Sequence, residues 1–284
     1  RASAASQLEE CSRAALLKPN TLSAIIGTVN DSTDRGAHFD GPGAFAGTRW
    51  SVVVKARSKD LSIARKALSE LCSIYWYPLY AFARRSGCNH HEAEDITQGL
   101  FLHLISKDGL SSVDPRKGKF RSFLLIAMKH FMANEWHRSQ AQKRGGGKTI
   151  VSIDMGEGEG RYESEPVDAV TPESLYDRGW AMTVLQTCVD DLEEEYCAKG
   201  KREAFNLLKG RIIEETRSEP YSVLAEKLNM TEGNVKVSIH RLRRRFGEIL
   251  RDHVAQTVES AADVDEELRY LISCFGGGVE NTAG

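Results

Sequence analysis

The run HHEAED at 90–95 sets metal-ligating side chains at helical spacing. In a helix His91, Glu94 and Asp95 fall at i, i+3 and i+4 and share one face, which is the geometry that can hold a divalent cation. Glu92 faces elsewhere and no second ligand pair follows in an equivalent segment, so no metal site is expected. The chain has no GxxxxGK[ST] loop, no GxSxG elbow and no nucleophile with its base. RGGGK at 144–148 lacks the preceding strand of a phosphate cradle and reads as a flexible exit from a helix. The expectation is a protein that is not an enzyme and uses no cofactor, with metal-dependent catalysis through His91, Glu94 and Asp95 as a distant alternative.

A different chemistry is written at 221–250, YSVLAEKLNMTEGNVKVSIHRLRRRFGEIL. Val223, Leu224 and Leu228 can share a buried face, and Ala225 is small enough to let a second helix cross closely. Asn229 and Met230 break the first helix. Thr231 can cap the second, and Glu232 puts negative charge at the positive end of its dipole. Val235, Ile239, Leu242, Phe246, Ile249 and Leu250 then recur at core spacing. This is the layout of a DNA-reading helix-turn-helix. After Thr231, the residues Asn234, Lys236, Val237, His240 and Arg241 occupy the turns that enter a major groove, and Arg244 and Arg245 follow where phosphates are met. An amphipathic core helix with a solvated basic face is the plainer alternative.

These elements sit in a 284-residue chain, long enough for about two domains. A hydrophobic content of 41% with 27% charged residues fits a soluble globular protein. No apolar run approaches the ~20 residues of a membrane span, and RASAASQLEECSRAALLKPNTLSAIIG lacks the basic-then-apolar order of a signal peptide. Six scattered cysteines without a CxxC pair argue against a zinc ribbon. Cys72 and Cys188 lie in apolar patterns and read as buried reduced thiols, which fits the cytoplasm.

The net charge of −2 conceals a partition along the chain. From 114 to 148 the basic residues are Arg116, Lys117, Lys119, Arg121, Lys129, Arg138, Lys143, Arg144 and Lys148, against Asp114 and Glu135. An acidic stretch from Asp154 to Asp177 then separates this block from the basic helix. Two positive surfaces on an acidic tether suit a protein that touches one polyanion at two places.

The expected fold is all-α: two helical lobes joined by an acidic flexible linker, the C-terminal lobe a helix-turn-helix. Residues 1–47 read as a mostly disordered lead, 48–144 as the first lobe, 145–172 as the linker, 173–258 as the second lobe and 259–284 as a tail. Pro78 is expected in the first turn of a helix. The acidic tail leading into LRYLISCF is expected either to cover part of the basic lobe or to stay solvated.

Over residues 48–272 the chain resembles the extracytoplasmic-function group of bacterial RNA polymerase sigma factors. YWYPLYAFARRSGCNHHEAEDITQGLFLHLI and GKFRSFLLIAMKHFMANEWHRSQAQKRGGG resemble the family's second conserved region, and the helix-turn-helix its fourth. TRWSVV, TPESLYDRGWAM and VDEELRYLI resemble a branch common in planctomycetes. The resemblance implies core RNA polymerase and promoter DNA as partners, with a regulatory inhibitor protein as a further partner, and no membrane. It implies polymerase docking by Asp95, Ile96, Gln98 and Phe101, with Asp95 and Gln98 facing solvent; Gly99 stands where many relatives carry an acid. It also implies that Lys119, Arg121, Lys129, His130, Asn134, Trp136, Arg138, Lys143 and Arg144 meet the melted strand of the proximal promoter element. His130 and Asn134 depart from the family's usual residues. Phe123 and Ile126 are expected in the core and Trp136 at the surface. A transcriptional regulator without sigma activity is the alternative.

Overall fold

A computed structural model describes residues 61–105, 119–141, 158–163, 165, 171–212, 219–255, 258 and 261–275. Every regular element among them is helical. In chain order they are α1 (Leu61–Arg85), α2 (His90–Ile105), α3 (Phe120–Ala141), α4 (Gly158–Glu163), α5 (Pro172–Ala198), α6 (Arg202–Leu208), a 3₁₀ turn (Lys209–Arg211), α7 (Tyr221–Lys227), α8 (Glu232–Ala255) and α9 (Ala261–Ser273). The all-α expectation holds over these residues. The lead 1–47, TRWSVV, Lys143 and Arg144 lie outside them. No described helix is long and apolar enough to cross a membrane.

Contacts divide the chain into two units. Among the described residues one comprises 61–183 with 255, 258 and 261–263, and the other 184–254 with 264–275. Residues 172–183 of α5 therefore belong to the first unit and 184–198 to the second.

In the first unit the aromatic run of α1 is enclosed: Ile74 to Ala83 are all buried, with Tyr75, Leu79 and Tyr80 fully so. That enclosure corrects the expectation for Pro78, which lies inside α1 and not in a first turn. An interior proline costs a helix about 3 kcal/mol. Here burial on both flanks of Pro78 offsets that cost. The end of α1 is set by Gly87 at φ 102, where the Cys88 amide donates back to the Ala83 carbonyl. Asn89 then opens α2 with a reciprocal cap. The Glu92 amide donates to Asn89 Oδ1 at 3.0 Å, and the Asn89 amide to Glu92 Oε2 at 2.9 Å. Phe120, Leu124 and Met128 form the buried face of α3.

Within the stretch expected as a linker, α4 lies on α1. Gly158 is buried, and a Cβ there would stand 2.8 Å from Trp76 Cζ3, so no larger residue fits without displacing the ring.

The second unit is built on α8. Val235, Ile239, Leu242, Phe246, Ile249 and Leu250 are all buried, as their spacing predicts. Asn229 takes φ 50 after α7, with the Met230 amide donating to the Ala225 carbonyl at 3.0 Å, so the expected break is a left-handed helix end. Thr231 Oγ1 accepts from the Asn234 amide at 3.3 Å and caps α8. In the expected tail, α9 buries Val264, Leu268 and Leu271, and Asp265 pairs with Arg251 at 2.6 Å.

Among the described residues Cys72, Cys88, Cys188, Cys197 and Cys274 form no disulfide. Cys188 is buried as expected, and Cys72 is half-buried with its thiol pushed up to about 11 by burial.

Candidate functional site

On α2 the four residues expected to dock a partner divide between surface and interior. Asp95 is exposed and Ile96 half-buried, whereas Phe101 and Gln98 are buried at 4% and 6% exposure. The burial of Gln98 corrects the expectation that it faces solvent. The buried face of this helix is wide, running through Ala93, Thr97, Leu100, Phe101 and Leu104, and Gln98 lies at its edge. Gly99 has a packing reason: a Cβ there would stand 3.0 Å from Cζ of Phe131, so α2 and α3 approach closely at this point.

The set on α3 is also divided. Lys129, His130, Asn134, Trp136 and Arg138 are exposed, Trp136 at 61%. His137 meets the Trp136 ring edge-on, with centroids 5.5 Å apart. Lys129 pairs with Glu173 at 2.8 Å and Arg138 with Glu135 at 2.7 Å, both in solvent. Lys119 is half-buried ahead of the helix. Arg121 is buried: its guanidinium pairs with Asp177 at 2.9 Å and lies 5.1 Å from the Trp180 ring centroid, and its carbonyl accepts from the Tyr176 hydroxyl. Ile126, expected in the core, is 57% exposed, because the buried face runs through residues 120, 124 and 128 and residue 126 lies on the far side. Phe123 is half-buried.

Along α8 the first turns and the later ones differ. Asn234, Lys236, Val237, His240 and Arg241 are exposed. Lys236 Nζ lies 5.4 Å from the Tyr221 ring centroid. Among the described residues Lys236, His240 and Arg241 make no ion pair. Further along, Arg244 pairs with Glu248 at 3.1 Å. Arg245 grips Glu195 through Nη2 at 2.5 Å and Nε at 3.0 Å, and reaches Glu248 at 3.0 Å. Hydrogen bonding to Glu195 raises the Arg245 pKa, and the same bonds hold the Glu195 carboxyl below the ordinary carboxylate range. His253 meets Asp191 at 2.6 Å.

A cluster that spacing did not suggest joins α1, α2 and α4. Glu159 accepts from Arg84 Nε at 3.0 Å and Nη2 at 2.5 Å and from the Tyr80 hydroxyl, while His90 Nδ1 lies 2.8 Å from that hydroxyl oxygen. Burial pushes the Glu159 carboxyl up, but the bonds from Arg84 and Tyr80 outweigh it and hold the pKa low. Arg161 stacks 3.6 Å over Tyr77, whose hydroxyl donates to Glu165 at 3.1 Å. Among the described residues those that gather as possible ligands are His90, His91 and Glu94. Asp95, part of the trio expected from spacing, is not among them. The HHEAED spacing pointed to His91 and Glu94 but not to Tyr80, Arg84 or Glu159, and the acidity of the 154–177 stretch has no periodicity to show where it packs.

Residues 77–142 match the family model described as sigma-70 region 2, which spans the end of α1, α2 and α3. Over 183 residues the chain is 24% identical to the ECF RNA polymerase sigma factor SigE of Mycolicibacterium smegmatis. That alignment covers 64% of this chain and 61% of the relative, so the chain spans less than two thirds of the relative's length. No solved structure matches the chain.

Proposed function

We propose that the chain is a sigma factor of the extracytoplasmic-function type, which binds core RNA polymerase and directs promoter recognition and melting. The observation that carries this reading is the sigma-70 region 2 match at 77–142, coinciding with helices whose outer face carries Lys129, His130, Asn134, Trp136 and Arg138. Unstacked bases need an aromatic platform beside cations that follow the backbone. Trp136 with its neighbouring cations supplies that chemistry, and Lys119, Lys143 and Arg144 extend the set. Arg121 holds α3 against α5 in the first unit and reaches no DNA. Asp95 and Ile96 form the outer part of the polymerase contact, with Gln98 and Phe101 supporting them from within.

On the same reading α8 takes the upstream element. Asn234, Lys236, His240 and Arg241 offer hydrogen bonds to base edges, and exposed Val237 offers methyl groups to a thymine methyl. Thr231 orders the start of the helix, and Arg244 meets phosphate. The protein works by binding and is not an enzyme, and its place is the cytoplasm with the polymerase. TRWSVV, TPESLYDRGWAM and VDEELRYLI support the planctomycete branch, and a regulatory inhibitor protein would be a further partner.

The test is transcription with purified core polymerase. Adding this chain alone should start transcripts at a defined promoter, and Asp95→Ala should weaken its affinity for the polymerase while leaving the melting curve unchanged. Stimulation only when another specificity subunit is present would identify a regulator and overturn the reading.

A further inference from the structure

The start of α2 gathers three metal-binding side chains. One ligand atom from each of His90, His91 and Glu94 lies within 4.8 Å of the others. Glu94 Oε2 is 3.6 Å from His90 Nε2 and 3.8 Å from His91 Nδ1. Ligands about 2.0–2.2 Å from a tetrahedral zinc ion stand roughly 3.3–3.6 Å apart, so small side-chain movements close the two edges from Glu94.

Proximity alone describes two histidines beside a carboxylate. What separates this trio from such a pair is the chain of bonds behind His90. The Tyr80 hydroxyl donates its proton to Glu159, and Glu159 is fixed by two bonds from Arg84. The Tyr80 oxygen is thereby left to accept from His90 Nδ1–H at 2.8 Å, with Glu159 Oε2 behind it at 3.5 Å from the same nitrogen. This assigns the proton to Nδ1 and leaves the Nε2 lone pair facing Glu94. A ligating histidine is commonly held this way, with its far nitrogen bonded to an oxygen that fixes tautomer and ring orientation. His91 is 89% exposed, so the trio opens to solvent and leaves coordination positions for water.

We infer that His90 Nε2, His91 Nδ1 and Glu94 form a site for a divalent transition metal of the zinc class, with Tyr80 and Glu159 as positioning residues. Three ligands, a single carboxylate and the positive end of a helix dipole make the ion exchangeable. Binding would fix the first turn of α2 against Tyr80 of α1 and Glu159 of α4. The inference stands apart from the proposed role in transcription.

The experiment titrates the untagged, reduced full chain with cobalt(II), read by visible absorption, and with zinc, read by calorimetry. One ion should bind, giving a ligand-field band without sulfur-to-cobalt charge transfer. His91→Ala and Glu94→Gln should lose affinity at least tenfold. Tyr80→Phe and Glu159→Gln should lose about 10- to 100-fold with every ligand retained. His91 is too exposed for its loss to unfold the chain, so that variant decides the matter if others are unstable. Cys88→Ser should bind as wild type does. No binding, a charge-transfer band that vanishes in Cys88→Ser, or equal affinity in wild type, His91→Ala and Glu94→Gln would each overturn the site.

Discussion

Arg121 and Arg241 look alike in the sequence, each a cation in a basic stretch, yet the structure gives them opposite situations. Arg121 is buried and paired with Asp177, which lies 56 residues further along the chain. Arg241 is exposed in the third turn of α8. The same contrast recurs within α8, where Arg245 is held by Glu195, 50 residues earlier, while Lys236, His240 and Arg241 have no carboxylate partner among the described residues. A basic run is therefore a poor guide to which cations are available to a polyanion. What removes a cation from that pool is a carboxylate brought to it by distant packing.

The largest effect should come from breaking the buried pair. Arg121→Ala leaves Asp177 without its partner in a half-dry setting, and a loss of about 3–5 kcal/mol is expected in chemical denaturation. Arg241→Ala should stay within about 0.5 kcal/mol of wild type in the same measurement. Equal stability of the two variants would erase the contrast.

On DNA the order should reverse. Lys236→Ala and Arg241→Ala should each cost about 1–3 kcal/mol at preferred upstream sites, with much smaller losses on unrelated duplexes, as read from a promoter library selected with each variant. Identical preferred sequences for these variants and wild type would mean that α8 positions the protein without reading bases.

A smaller effect concerns acid. The folded Glu195 carboxyl is held below its ordinary range, first by hydrogen bonding from Arg245. The unfolded carboxyl titrates at the ordinary value, near 4.3. The pair therefore adds stability above that value and loses it as the pH falls through the lowered folded pKa. Glu195→Gln should remove about 0.2–1 kcal/mol at neutral pH and flatten the loss on acidification, as followed by denaturation at several pH values.

The smallest difference should appear in salt dependence. Arg244→Gln, if that residue meets phosphate, should lower the slope of log affinity against log salt by about one, whereas Arg245→Gln should leave it unchanged because its charge is already countered. Equal changes in both would show that Glu195 releases Arg245 on DNA.

Much of this was legible in advance, and the reason is periodicity. The six apolar positions of α8, the break at Asn229, the cap at Thr231 and the surface place of Trp136 follow from rules that act within a few residues. The misread positions have other causes. Gln98 lies at the edge of a helical stripe, where the width of the buried face depends on what packs against it, whereas Ile126 is apolar by type but lies opposite the stripe of Phe120, Leu124 and Met128. Pro78 was placed by a local rule that neighbouring helices overrode.

Local chemistry alone thus determined that the chain is helical, where several helices begin and end, and which faces of α3 and α8 are basic. Only the tertiary structure decided that Arg121 is an internal tie, that Arg245 is countered by Glu195, and that Gly158, Glu159 and Glu165 meet Trp76, Tyr77, Tyr80 and Arg84 of α1. The physical reason is the range of the forces. Capping, dihedral preference and hydrophobic period act between near neighbours, but the availability of a charge depends on burial and on its counter-charge, and both come from residues that only folding brings near.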